Sequence, residues 1–339
     1  MMKRITIKDI AAQLRLSVST VSRALTGDKN IREATRNRVL EVAKQMGYSP
    51  NPAATTIRTG RTGTVGVVIP EMRTDYTVKV IRGIQEVLYQ AGIKVVVMDS
   101  FEDPEMEMEN FRMMERFMVD GLIICQCSCR HNLDWLSKML EQDFPMVFYG
   151  RIPYGLKVSQ VLVDDYAKSF FMVEKMILAG RRHICHFHGP DDVHNSVERG
   201  RGYRDALAKY NLPYEDNLQI HSGMLIDDGR RAVDKLLASG AEFDAIFAFN
   251  EEMAVGAMQR LRERDVRVPE EVAISAFSGS SLAEVVYPTL STVDPPKTDM
   301  GRTAARMLLD QLAALAAGEP LPAPRTVILN AEINVRDSI

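Results

Sequence analysis

The sequence predicts an all-α head of three short helices joined to a larger α/β body with parallel sheets. Three observations predict it. Residues 5–25 carry two helical apolar stripes separated by a short turn, apolar strands alternate with helices from residue 64 onward, and charge is divided between the two regions. Residues 1–63 hold 12 Lys and Arg against 4 Asp and Glu, while the remainder holds 30 against 41. A basic head on an acidic body is the balance of a nucleic-acid-binding module fused to a soluble partner, although a solvated charged surface gives the same sign.

In the head, Thr6 precedes an apolar-periodic run and Asp9 stands three residues on, a variant of the box that closes a helix N-terminus. Ile7, Ile10, Ala11 and Leu14 follow at helical spacing. Ser17 offers a second N-cap hydroxyl, and Val21, Ala24 and Leu25 mark the buried side of a second helix. Two short helices across a tight turn form the helix-turn-helix arrangement, whose second helix enters the DNA major groove. A third helix is predicted from about Glu33 to Met46, with Val39, Val42, Ala43 and Met46 on one face and Gly47 ending it. Residues 50–59, with two adjacent threonines, are marginal as an isolated helix: either a segment that folds only on DNA or a plain linker.

In the body, Val65–Ile69, Lys94–Met98, Leu122–Cys125 and Pro145–Tyr149 read as buried strands, with helices at Val78–Gln90 and Glu105–Met118 between them. A second set begins near Val161 and takes in Ile184–Phe187, Ala245–Phe249 and Val272–Phe277. Such alternation implies parallel sheets covered on both faces, with ligands bound at the carboxyl ends of the strands.

Other readings are narrowed by what the chain lacks. Its 339 residues suggest two or three domains. No apolar run approaches the roughly 20 residues of a membrane span, and Met1 to Ile10 has no signal-peptide core, so no membrane partner and a cytoplasmic location are expected. Cys125, Cys127 and Cys129 share one face of an extended strand, as buried packing or as a metal or redox site. His186, His188 and His194 invite a zinc reading beside loop packing or ligand contact. No phosphate-cradling loop or nucleophile elbow appears, so no catalytic residue, no metal and no cofactor is expected.

The run D-I-A-x5-S-x-S-T-V-S-R-A-L from Asp9 to Leu25 resembles the opening of the lactose-repressor/galactose-repressor (LacI/GalR) family of bacterial transcription regulators. Tyr48-Ser-Pro-Asn-Pro, Gly66 to Pro70, Val119-Asp-Gly-Leu-Ile-Ile, Phe249-Asn-Glu-Glu-Met-Ala and Pro288-Thr-Leu-Ser-Thr-Val match in the family's order. The resemblance implies a helix-turn-helix domain over 1–49, a hinge helix and linker over 50–63, and an effector-binding and dimerisation domain over 64–339. That last domain is expected to be two-lobed and periplasmic-binding-protein-like. Its first lobe is placed at about 64–162 and 291–323, its second at about 163–290 and 324–339.

By family position, Val18 and Ser19 read bases, with Arg23 reaching from the next turn. Periodicity alone also permits Val18 in the core. Ser17, Thr20, Ser22 and Asn30 are expected at phosphates. Asn51, Ala54 and Ile57 match hinge contacts, Ile57 as a minor-groove wedge. The expected effector contacts are Arg73, Thr74, Asp75, Tyr76, Asp164, Arg199, Asn250 and Ser278.

Three departures stand out. Arg15 occupies the turn position where the family has glycine, which predicts a differently shaped turn. Arg32 replaces the Ser or Thr cap of the third helix. Ser278 and Gly279 replace two aspartates, which points to an acidic, phosphorylated or otherwise unusual ligand, or to none. The resemblance implies a homodimer on a pseudo-palindromic double-stranded operator, controlled by a small molecule, a sugar or a nucleobase. The rivals are a solute-binding protein and an enzyme on the same scaffold.

Overall fold

A computed structural model describes residues 5–48 and 60–339. The chain divides into two compact units between Thr62 and Gly63.

The head contains α1 (Ile7–Leu14), α2 (Val18–Leu25) and α3 (Glu33–Gln45). Thr6 caps α1 in a full capping box: its amide donates to Asp9 Oδ2 at 2.7 Å, and the Asp9 amide donates back to Thr6 Oγ1. Ser17 caps α2 by accepting from the Thr20 amide. The stripes then meet, burying Ile10, Ala11, Leu14, Val21, Ala24, Val39 and Ala43 as one small core. Arg15 takes the left-handed conformation, φ 55° and ψ 41°, and its amide closes the end of α1. The expected change of turn shape is therefore absent, and the arginine adopts the backbone a glycine would. Arg32 makes no side-chain cap on α3. Arg36 instead ties α3 to the preceding turn by donating to the Asp28 and Ile31 carbonyls.

The body has two six-stranded sheets. In chain order its elements are β1 (Thr64–Ile69), α4 (Asp75–Gln90), β2 (Lys94–Asp99), α5 (Pro104–Arg116), β3 (Gly121–Ile124), α6 (Leu133–Glu141), β4 (Met146–Tyr149), β5 (Ser159–Val163), α7 (Asp165–Leu178), β6 (Ile184–His188) and α8 (His194–Lys209). There follow β7 (Gln219–His221), α9 (Ile226–Ser239), β8 (Ala245–Ala248), α10 (Glu251–Glu263), β9 (Ala273–Phe277), α11 (Ser281–Val285), β10 (Ser291–Asp294), α12 (Lys297–Ala317), β11 (Thr326–Leu329) and β12 (Glu332–Asn334). The first sheet runs β11-β5-β4-β3-β1-β2 and the second β12-β10-β9-β8-β6-β7. Every pairing is parallel except β12 on β10. Strands such as Val65–Ile69 are apolar throughout because helices cover both faces of their sheet.

The lobe assignment differs from expectation in two places. Strand 291–294 stays in the second sheet, beside β9, and strand 326–329 joins the first sheet, beside β5. The chain thus changes lobe after Val163, after Asp294 and after Leu329. The helix α12 does return to the first lobe, where it lies on α4 so closely that a Cβ on Gly83 would run into the Thr298 carbonyl oxygen. Gly301 meets Val80 in the same way, so this pair of helices touches backbone to backbone.

Candidate functional site

The first turn of α2 presents its polar side outward. Val21 and Ala24 are buried, whereas Ser17, Ser19 and Arg23 are exposed. Val18 is 45% exposed, so it lies off the core stripe. The Ser17 hydroxyl sits 2.9 Å from Ser19 Oγ and 2.8 Å from Thr20 Oγ1, a cluster that can turn donors outward together. Arg23 has 64% of its side chain exposed and only a 3.9 Å approach to Asp28. Asn30 folds back on Asp28, donating both backbone and side-chain N–H to Oδ1. Asn51, Ala54 and Ile57 lie outside the described residues.

In the body, loops at the carboxyl ends of both sheets close on a cavity of about 230 Å³. It forms at the point where the two sheets' strand ends face each other, as open parallel sheets require. Arg199, on α8, is 4% exposed. Its Nε donates to Asp165 Oδ1 at 2.8 Å and its Nη1 to the Phe249 carbonyl at 2.7 Å. The guanidinium lies 3.8 Å from the Phe277 ring centroid and 4.7 Å from that of Phe249. Among the described residues its Nη2 has no protein partner. Burial works against both charges of the pair, lifting the Asp165 carboxyl and lowering Arg199, while each partner offsets the other's shift. Across the cavity, Arg151 holds Glu102 in a two-pronged bond of 2.7 and 3.0 Å. Burial would lower Arg151, but Glu102 outweighs it and the guanidinium stays charged.

Seven of the eight expected effector residues line the cavity, but several are committed elsewhere. Thr74 caps α4 and donates to Glu71. Asp75 pairs with Lys79 and Lys297. The Asn250 side chain caps α10 and holds the Met224 carbonyl. Tyr76 packs under Met300, its hydroxyl beside Gly150, where a Cβ would stand 2.7 Å away. Ser278 takes a left-handed φ of 65° at the end of β9. Asp164 is the exception. It is an exposed N-cap of α7, accepting from the Ala167 amide, and its neighbour Asp165 enters the cavity. Family position marked the capping residue, whereas the first residue of the helix is the one that turns inward to Arg199.

Sequence reasoning also missed Glu71, Glu102, Arg151, Asn195, Glu251 and Glu252. The Asn-Glu-Glu run after β8 was a visible signal, because the first residues past a strand end face the ligand side. Arg151 and Glu102 gave none, since 49 residues separate them. All four cysteines are free and buried. Burial pushes the cavity-lining Cys125 thiol up to about 12, so it is a neutral wall group. Among the described residues no group of three or more His, Cys, Asp or Glu side chains is arranged to hold a metal, and no helix is long and apolar enough to cross a membrane.

A helix-turn-helix head on a two-lobed α/β body is the architecture of a class of transcription regulators. Residues 6–51 match the bacterial regulatory proteins of the lacI family, and residues 173–339 match the periplasmic binding protein-like domain. The chain is 31% identical to the HTH-type transcriptional regulator CelR of Thermobifida fusca, over 99% of this chain and 98% of that protein. The chain therefore belongs to the lacI family of bacterial regulatory proteins. Among solved structures it resembles CelR in complex with cellobiose, at 29% identity and a TM-score of 0.74, covering 99% of this chain and 100% of that one. It also shares the fold of the lac repressor dimer bound to operator and an anti-inducer, at 20% identity and a TM-score of 0.86, over 99% of each chain. These relatives are regulators, in keeping with the expectation that the chain is not an enzyme.

Proposed function

We propose that the chain is a cytoplasmic repressor that binds a pseudo-palindromic operator as a homodimer and releases or grips it according to a small polyhydroxylated ligand in the inter-lobe cavity. The observation that carries the ligand reading is Arg199: a guanidinium only 4% exposed, fixed by Asp165 and two aromatic rings in the wall of the cavity. Sugar hydroxyls both donate and accept, so they suit an arginine set among carboxylates. An acidic or phosphorylated ligand fits poorly, because the lining holds six carboxylates against three arginines. The carboxylates lost at Ser278 and Gly279 are replaced from Asp165, Glu251 and Glu252.

For DNA, the exposed turn of α2 supports Val18, Ser19 and Arg23 as base readers, with Ser17, Thr20, Ser22 and Asn30 at phosphates. The outer face of α4 supports the dimer: Val78 and Tyr89 are exposed there, beside the half-exposed edge strand β2. A two-fold dimer maps onto a two-fold operator.

The test is operator binding by the purified full-length protein, followed by fluorescence anisotropy. Arg23→Ala is expected to lose about 1–3 kcal/mol and to relax selectivity at one base pair in each half-site. Affinity is expected to fall steeply with salt. Titrating sugars and nucleobases into the complex is expected to shift affinity for a sugar. Unchanged selectivity in the variant, or an operator response to nucleobases alone, would overturn the respective half of the proposal.

A further inference from the structure

The three helices of the head end in the same turn. After α1 the Arg15 amide donates to the Ala12 carbonyl at 3.3 Å and the Leu16 amide to Ala11 at 3.0 Å. After α2 the pair is Gly27 to Ala24 at 3.3 Å and Asp28 to Arg23 at 3.0 Å, and after α3 it is Gly47 to Lys44 at 3.1 Å and Tyr48 to Ala43 at 2.9 Å. This paired closure needs a left-handed residue, and glycine is the usual one. The φ angles are 55° at Arg15, 76° at Gly27 and 66° at Gly47. Nothing stands within 4 Å of where a Cβ on either glycine would lie, so the backbone angle and not space selects glycine there. One geometry thus occurs three times, twice with glycine and once with an arginine, whose Cβ crowds the following carbonyl in this conformation.

No contact within the head offsets that crowding. The Arg15 side chain is exposed, and among the described residues its guanidinium makes no hydrogen bond or ion pair. Arg36, by contrast, is held by the Asp28 and Ile31 carbonyls. What separates Arg15 from Gly27 and Gly47 is its place. Its turn leads straight into α2, with the cap Ser17 two residues on and Val18 and Ser19 exposed behind it. A helix with its side chains is about 10–12 Å across and fills a major groove about 12 Å wide. The chain entering its first turn therefore lies beside the rim of the groove, which is lined by phosphates. Cα atoms two residues apart are within about 7 Å of each other, so a long side chain at 15 reaches that rim whenever α2 is seated. Strain that the fold itself does not use is the mark of a functional position.

We propose that Arg15 is a phosphate-binding residue: its guanidinium grips the DNA backbone at the rim of the groove that α2 enters. This rests on the reading that the head docks on double-stranded DNA, and it adds to that reading a contact made from the turn rather than from the helix. The planar fork of five N–H donors matches phosphate oxygens and holds them with charge-assisted bonds. A phosphate contact carries no sequence information. Arg15 therefore raises affinity for every duplex alike and fixes the register of α2, while the choice of base stays with the side chains on the helix. The left-handed arginine follows: the head gives up local stability at this turn in exchange for a positive charge beside the groove.

The test sets stability against binding in the full-length protein. The probes are a duplex selected by the native chain from a random pool, its single-base variants and a random-sequence duplex, each followed by fluorescence anisotropy across a salt series. Arg15→Gly is expected to slow hydrogen exchange in α1 and α2, because glycine relieves the turn, and yet to weaken binding. The loss should be roughly fivefold or more and the same for every duplex, and the plot of log affinity against log salt should be shallower by about 0.9 for each head. Arg15→Lys keeps the charge and the strained backbone, so it should keep most of the affinity and of the salt slope. Undiminished affinity in Arg15→Gly would overturn the inference, as would a loss confined to particular base pairs, which would make Arg15 a base reader. Faster exchange in Arg15→Gly would overturn it too, by showing that the turn needs the arginine. Those outcomes leave the broader reading standing as long as the native chain selects a duplex; if it selects none, that reading falls and the inference with it.

Discussion

The head and the body place their functional groups in opposite ways. The head gathers its proposed reading residues within Ser17–Arg23, a run of seven, and leaves Ser17, Val18, Ser19 and Arg23 exposed while Val21 turns into the core. The body draws its cavity from loops of both sheets, between Pro70 and Met300, and buries the groups that matter. Exposed hydroxyls and one loosely held arginine are cheap to keep and free to meet a large partner. A buried guanidinium must be paired and hydrogen-bonded within the fold, so its position is fixed before any ligand arrives. Losing a head residue should therefore affect recognition, and losing a cavity residue should affect stability as well.

The sharpest way to break that contrast is Arg199→Met. It leaves the Asp165 charge buried without its partner, a loss on the order of 3–5 kcal/mol. The body should melt far lower and ligand binding should vanish. The double variant Asp165→Leu with Arg199→Met removes both charges, so it should recover much of the stability and none of the ligand binding. The contrast fails if the single variant is as stable as the native chain. It fails equally if the double variant is no better than the single one.

Acid tests the same difference by another route. The head has no histidine in its described residues, whereas the second lobe stacks His186, His188 and His221. Burial lowers His186 and His188, and their mutual charge lowers His186 further. A histidine whose folded pKa is depressed favours the folded state above its unfolded value of about 6.5, and that contribution is lost as pH falls below it. Asp165 and Glu107 are shifted upward by burial and act in the opposite sense, in the carboxylate range. Urea unfolding followed through Trp135, the single tryptophan and a body residue, should show stability falling from pH 7 toward pH 5. His188→Gln should flatten that slope; an identical slope in the variant would assign the acid response to other groups.

Legibility in the sequence follows the same division. Caps, apolar spacing and turn glycines act over a few residues, so the ends of α1, α2 and α3 could be read almost to the residue. The body's strands were readable because buried parallel strands are apolar throughout. The cavity was readable where family position marked its residues, as with Arg73 to Tyr76, Arg199, Asn250 and Ser278. Arg151 meets Glu102, and Lys297 meets Asp75, across long stretches of chain, and no local pattern announces such pairs. The same limit explains the two misplaced strands: β10 and β11 are four-residue runs whose partners, β9 and β5, are chosen by topology rather than by their own residues.

The smallest effect discriminates most finely. Thr6→Ala removes the α1 cap, and Asp103→Ala removes the α5 cap, in which Asp103 accepts from the Glu105 amide at 2.8 Å. Each should cost about 1 kcal/mol. The head rests on seven buried residues, so it should open as one small unit, and Thr6→Ala should speed hydrogen exchange in all three of its helices about fivefold. Asp103→Ala takes the same energy from a far larger core, and its effect should stay near the start of α5, with the second sheet unchanged. Exchange that quickens only in the first turn of α1 would show that the head is not a single marginal unit.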